Sequence, residues 1–205
     1  MKSMMKDAMI LFVITLLAGT LLGTVYEVTK QPIAKQQEKA KIAAYREVFT
    51  NAENFEEIAM APDLLPADLS AYVQQLGYDA DINAIAGALD ASGSLLGYVI
   101  TVTDHEGYGG DIQFSMGITK EGVLNGISIL SISETAGLGM RAGEVLAPQF
   151  AGKQITTFSY TKTGAASEDQ IDAISGATIT TNAVVGGVNA GIAVFTEYLQ
   201  QTDTQ

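Results

Sequence analysis

Three stretches, LLGYVITVTDH (95–105), DIQFSMGIT (111–119) and VLNGISILSISE (123–134), decide the fold class. Each is rich in β-branched and aromatic residues, and the short turns EGYGG (106–110) and KEG (120–122) separate them. Extended segments joined this tightly predict three neighbouring strands of an antiparallel sheet. Downstream, KQITTFSYTK (153–162) is a polar strand candidate after a helical or irregular piece near 142–152. The chain then reaches DAISGATITTNAVVGGVNAGIAVFTEYLQ (172–200), where 182–199 predicts a helix with Val184, Val188, Phe195 and Leu199 near one stripe. Thr181 or Asn182 is the expected cap of that helix. Upstream, 49–92 reads as peripheral helices and loops, with turn signals at Pro62, Pro66 and Gly77. The expected architecture is α+β, an antiparallel sheet packed against helices.

Toward the N-terminus the composition changes. Between Asp7 and Glu27 lie nineteen uncharged residues, AMILFVITLLAGTLLGTVY. As a helix they cover about 28 Å, close to a bilayer's hydrocarbon core. The run continues into Tyr26–Glu27–Val28 and a Lys/Gln-rich stretch instead of closing on a small-x-small cleavage site, so it predicts a retained single transmembrane helix. In LLAGT, Thr20 stands where a lipidated cysteine would have to be, which excludes that anchor. Thr15, Gly19 and Gly23 recur every four residues, the small-xxx-small spacing that lets membrane helices approach closely. The expected organisation is a cytoplasmic tip and transmembrane helix over 1–28, a basic helical stalk over 29–48 and a body over 49–205.

Charge follows this division. Residues 1–46 hold seven Lys/Arg against three acids, and 47–205 hold four bases against twenty acids. A net charge of −12 repels a phosphate backbone, so nucleic acid is excluded as a partner. A literal count of lysines around the helix would leave the body in the cytoplasm, yet long domains translocate despite such charge. The chain has no cysteine, which removes disulfides, thiol nucleophiles and Cys-ligated iron–sulfur clusters. Its single histidine, His105, argues against a His-based metal centre or serine triad, and it reads as a surface turn residue. Gly137, Gly139 and Gly143 mimic a dinucleotide fingerprint without a βαβ unit, and AGKQIT (151–156) lacks the remainder of a phosphate loop. Neither a catalytic residue nor a metal ligand is expected.

Two clusters remain. ETAGLG (134–139) ends a strand with a carboxylate, a hydroxyl and two glycines, which permit close backbone approach to a flat ligand. SGATIT (175–180) places hydroxyls just before a helix whose first amides favour a phosphate. Either alone would read as an ordinary turn and cap.

Together, and with the lone N-terminal helix, they make the chain resemble the FMN-binding subunits of membrane redox pumps, above all the G subunits of Rnf ferredoxin:NAD⁺ oxidoreductase complexes. The most specific part is Asp172-x-x-Ser175-Gly176-Ala177-Thr178. The resemblance implies that Thr178 carries FMN, one per chain, through a phosphoester made by a flavin transferase, which formally makes the chain a phosphoprotein. Asp172 would serve recognition or orientation of the acceptor, and Ser175, Gly176 and Ala177 would complete the attachment turn. Glu134, Thr135, Leu138 and Gly139 would line the isoalloxazine ring, with Tyr108 or Met140 packing on it. It further implies a single-pass electron-transfer subunit of the cell (inner) membrane, with its C-terminal domain on the extracytoplasmic side. Membrane lipid and the other subunits of a Na⁺- or H⁺-translocating complex would be its partners. The C subunit of the Na⁺-translocating NADH:quinone reductase shares the attachment sequence, and a flavin-free anchored adaptor is the alternative of another class. One departure stands out: this family commonly has proline where Ala136 stands.

Overall fold

The computed structural model describes residues 2–58 and 68–200. By packing, the chain divides into one unit up to Ala40 and a second from Lys41 onward. The first is helical throughout and belongs to α1 (Lys2–Val48), which runs through Pro32 without a break. Its apolar side chains from Met4 to Val28 are exposed, and Thr15 turns its hydroxyl back to the Leu11 carbonyl at 3.0 Å. Such an exposed apolar surface is suited to lipid. By length and apolar composition this helix can cross a membrane.

The second unit starts inside the same helix. Ala44, Tyr45, Val48 and the following Phe49 are buried, so the end of the expected 29–48 stalk is part of the body's core. The body then builds β1 (Asn54–Glu57), α2 (Leu69–Gln75), β2 (Ala80–Leu89), β3 (Leu95–Asp104), β4 (Ile112–Thr119) and β5 (Leu124–Ser131). The five strands form one antiparallel sheet in sequence order. The three strands expected from the β-branched runs are its β3, β4 and β5. Residues 49–92 are more than peripheral helices and loops, because β1 and the ten-residue β2 lie within them. The sequence ADINAIAGAL carries alanines, an asparagine and a glycine of low strand propensity; pairing with β1 and β3 makes it a strand. Gly77 closes α2 with φ +93°, as its turn signal implied, whereas Pro62 and Pro66 lie outside the described residues.

Alternation along the strands gives the sheet two covered faces. Tyr98, Ile100 and Val102 of β3, with Phe114, Met116 and Ile118 of β4, join one core cluster. Val99, with Ala86 and Ala88 of β2, packs instead with Tyr45, Val48 and Phe49. A bulge between Ile82 and Ala84 reverses the alternation along β2, so that Ala80 and Ile82 join the first cluster and Ala86 and Ala88 the second. At Gly117 a Cβ would lie 2.9 Å from Val48, so the helix end sits in a notch that only glycine leaves open.

After β5 come a 3₁₀ turn (Gly139–Arg141), α3 (Ala142–Val145), α4 (Ala147–Phe150), and a parallel pair, β6 (Ser159–Thr161) with β7 (Gln170–Asp172). The helix α5 (Thr178–Val194), extended by a π-helical turn to Leu199, covers the first face of the sheet. Val184, Val188, Phe195 and Leu199 are buried as the stripe predicts. Gly187 and Gly191 let the helix press onto β4, where an added Cβ would meet Phe114 at 2.9 Å and Met116 Sδ at 2.1 Å. The helix begins four residues before the expected Asn182, which alters the reading of its first turn.

Candidate functional site

The first turn of α5 is prepared by the turn before it. Ala177 N–H donates to the Ile174 carbonyl at 2.9 Å, which makes 174–177 a β-turn with Ser175 and Gly176 at its centre. Gly176 has φ +78°, the left-handed value that the third position of a type II turn demands. Ala177 is the N-cap and makes no side-chain capping bond. Thr181, expected as a cap, serves another purpose: its buried hydroxyl donates to the Ala177 carbonyl at 2.9 Å and accepts from Ile174 N–H at 3.2 Å. Asn182 lies a full turn inside the helix. The amides at the start of α5 are therefore free of side-chain caps and point beyond the helix end, with the positive end of its dipole behind them.

A second turn meets this one. Leu138 N–H donates to the Thr135 carbonyl at 3.1 Å, and Gly137 at the third position has φ +77°. This is again a type II turn, with Ala136 at the second position, where proline is favoured for its fixed φ. The departure from the family's proline thus falls where alanine adopts the same backbone. The two turns touch: the Leu138 side chain lies 3.3 Å from where a Gly176 Cβ would be. At Gly139 a Cβ would stand 2.6 Å from Thr180 Oγ1 and 2.7 Å from Glu134 Cβ, so this glycine is the contact through which the segments close. A third segment, the turn after β3, arrives beside them. Gly109 N–H donates to Glu134 Oε1 at 3.2 Å.

These three segments enclose a cleft of about 530 Å³. Its lining includes Glu134, Thr135, Leu138, Gly139, Gly176, Ala177 and Thr178, which lie in two sequence clusters some forty residues apart. Tyr108, a candidate ring-packing residue, also lines it, whereas Met140 does not. Ser175 is exposed at the turn corner and outside the lining. Asp172 is outside it too: its carboxylate accepts from Ala165 N–H, and Gln149 brackets its backbone, accepting from Asp172 N–H at 2.7 Å and donating to its carbonyl at 3.1 Å. Ile179 and Thr180 complete the cleft and were not expected there, because the threonine run placed the helix start after them. Among the described residues of the body, the large exposed apolar side chains are Leu76, Tyr108, Leu138, Met140 and Ile179. Three of these five line the cleft, an apolar opening that a flat ring would cover.

The family described as an FMN-binding domain matches residues 107–193, a span that opens at the Tyr108 turn and closes in α5. The family described as the RnfG N-terminal region matches residues 1–48. The G subunit of the Na⁺-translocating ferredoxin:NAD⁺ oxidoreductase complex of Acetobacterium woodii is 32% identical over 201 residues, covering 95% of this chain and 92% of that protein. The chain belongs to the G-subunit family. The G subunit of an ion-translocating oxidoreductase complex of Methanosarcina acetivorans is 28% identical, with 93% and 94% of the two chains covered. In three dimensions the G-subunit body is similar to the crystal structure of NqrC from Shewanella oneidensis, with a TM-score of 0.55 over 78% of this chain and 88% of that one. At 16% identity this likeness is one of fold. The α+β architecture expected from the sequence and the Rnf-type resemblance both stand, the latter ahead of the quinone-reductase alternative.

Proposed function

We propose that this chain is a membrane-anchored electron carrier that holds one FMN, covalently, on Thr178, as a subunit of an ion-translocating ferredoxin:NAD⁺ oxidoreductase complex. The supporting observation is the position of Thr178. It is the first residue of α5, half-buried, on the wall of the cleft that Glu134, Thr135, Leu138 and Gly139 also line.

The residues suit this cofactor. Uncapped amides at the start of α5 offer donors to a phosphate, and the helix dipole stabilises its negative charge. Tyr108, Leu138 and Ile179 present exposed apolar surface to a flat ring, while Gly139 and Gly176 keep the backbone close to it. FMN, when bound, supplies a ring that reversibly accepts and releases electrons. The chain contributes attachment, a half-open seat and, through Glu134 and the nearby amides, the polarity around that seat. Thr178 provides only the accepting hydroxyl; a flavin transferase supplies the FMN moiety, with exposed Asp172 and Ser175 on the side it reads. The apolar part of α1 contacts lipid, and the body over 49–205 works on the extracytoplasmic side against the other subunits, where the coupled ion is Na⁺ or H⁺.

Intact mass of the denatured chain, expressed with and without a flavin transferase, tests the attachment. The chain is expected to gain one FMN only with the transferase, and Thr178→Ala is expected to abolish the gain while changing stability by less than about 1 kcal/mol. Covalent FMN on Thr178→Ala would move the site to Ser175 or Thr180. An assembled complex that turns over undiminished without FMN on this chain would leave the adaptor reading standing.

A further inference from the structure

The turn that brings Tyr108 to the cleft is held at its base by a residue that sequence pattern left without a role. His105 directs Nδ1 to Asp111 Oδ1 at 2.9 Å and Nε2 to Asp81 Oδ2 at 3.2 Å, with its backbone N–H on the Asp79 carbonyl. Its ring thus ties β2 to the residue just ahead of β4, across the turn that leaves β3. The tip of that turn has no slack. A Cβ on Gly109 would lie 2.0 Å from the Ser133 carbonyl oxygen, and one on Gly107 would lie 2.1 Å from that of Gly110. Displacement at the base is therefore carried to Tyr108 and to the Gly109–Glu134 bond.

We propose that His105 is a positioning residue for the cleft: bridging Asp81 and Asp111, it fixes the 105–110 turn so that Tyr108 stands in the cleft wall and Gly109 holds the Glu134 carboxylate. The proposal rests on the reading that this cleft seats the flavin. Two carboxylates require two N–H donors, and only the imidazolium has two. The hydrogen bond to Asp111 raises the ring above its ordinary value, against the opposing effect of burial, and Asp81 adds to the rise. As pH climbs through that raised value, one nitrogen becomes a lone pair facing a carboxylate, and the clamp opens. Around the ring stand Asp81 from β2 and Asp111 ahead of β4, with Asp104 and Glu106 on its own segment; Glu134 lies beyond the tip. Asp104 titrates in a neighbouring range. It is fully buried, and one oxygen accepts from Glu106 N–H at 2.9 Å. The other has no hydrogen-bond partner among the described residues, and burial pushes the carboxyl up to about 7.

The chain contains no tryptophan, so Tyr108→Trp in the full chain in detergent gives a single reporter at the cleft. Without flavin, its emission is expected to titrate with a midpoint above about 6.5. Adding His105→Gln is expected to remove at least three-quarters of the change, and Asp104→Asn to retain it. A titration that survives His105→Gln, or no titration in the parent, overturns the clamp. If His105→Gln does not fold, Asp111→Asn serves instead: the midpoint must fall, and an unchanged midpoint counts against the proposal. In flavin-loaded chains with Tyr108 restored, the flavin midpoint potential of His105→Gln is expected to differ from wild type below that pH and to merge with it above. Identical potentials throughout would overturn the link to the cleft. Failure to attach flavin at all would defeat the cofactor reading alone, since the emission titration is measured without it.

Discussion

Gly139 shows how a single missing carbon shapes this site. Its backbone fills the gap between Glu134 and Thr180, and an added Cβ would come within 2.6–2.8 Å of three heavy atoms of those residues. Gly139→Ala is expected to cost about 1–3 kcal/mol, the ordinary range for overpacking, and to slow FMN attachment by parting the turn from the start of α5. Gly143→Ala, where the nearest atom would be Ile129 Cγ1 at 3.7 Å, is the matched control and should be tolerated. Chemical denaturation and intact mass of the two variants separate these outcomes; equal stability and equal loading would mean that the Gly139 contact does not shape the cleft.

The last residues of β3 and the middle of α5 make an unequal pair. Asp104 closes the strand fully buried, its unpartnered oxygen directed at the glycine step of the helix, 3.4 Å from where a Gly186 Cβ would be. Its carboxyl is raised from the usual range to about 7, chiefly by burial, with Glu106 adding repulsion. A raised acid holds its proton in the folded state at a pH where the unfolded chain has released it. The fold is therefore unpenalised below about pH 4 and progressively destabilised as pH rises toward 7. The His105 clamp adds the same sign, since its stabilisation is complete below about 6.5 and is lost as pH passes the ring's raised value. Denaturant titrations of the full chain in detergent should show stability falling between pH 5 and pH 8. Asp104→Asn should remove on the order of 2–3 kcal/mol of that fall. A pH slope unchanged by Asp104→Asn would show that this carboxyl is ionised in the fold throughout.

Across the chain, charge and hydropathy both set the N-terminal helix apart from the body. The basic residues concentrate in the first 46, the acids beyond, and the long apolar helix precedes a body whose own core helix is mostly buried. This arrangement suits a body working in water from a lipid anchor. If the body lies outside the cytoplasm, protease added to right-side-out cells should degrade it and leave 8–26 embedded. Protection there, with cleavage only in inverted vesicles, would place the flavin seat on the cytoplasmic side.

Local pattern was enough for much of this protein. The apolar run of nineteen residues, the β-branched strands β3 to β5 and the DAISGAT turn are legible because each is written in contiguous residues of strong propensity. Strand β2 was not, because ADINAIAGAL is strand only by virtue of its neighbours on both sides. The start of α5 was misplaced for a related reason. A run of threonines reads as a cap, yet Thr181 commits its hydroxyl to the preceding turn and leaves the helix amides of Thr178–Thr180 without a side-chain cap. Composition likewise read each cluster as an ordinary turn and cap; the family resemblance assigned both to one flavin, but local pattern could not join them in space. Joining depends on how closely backbones approach at Gly109, Gly139 and Gly176, and that distance is set by the sheet and α5 packing together, long-range contacts that no local window of sequence contains.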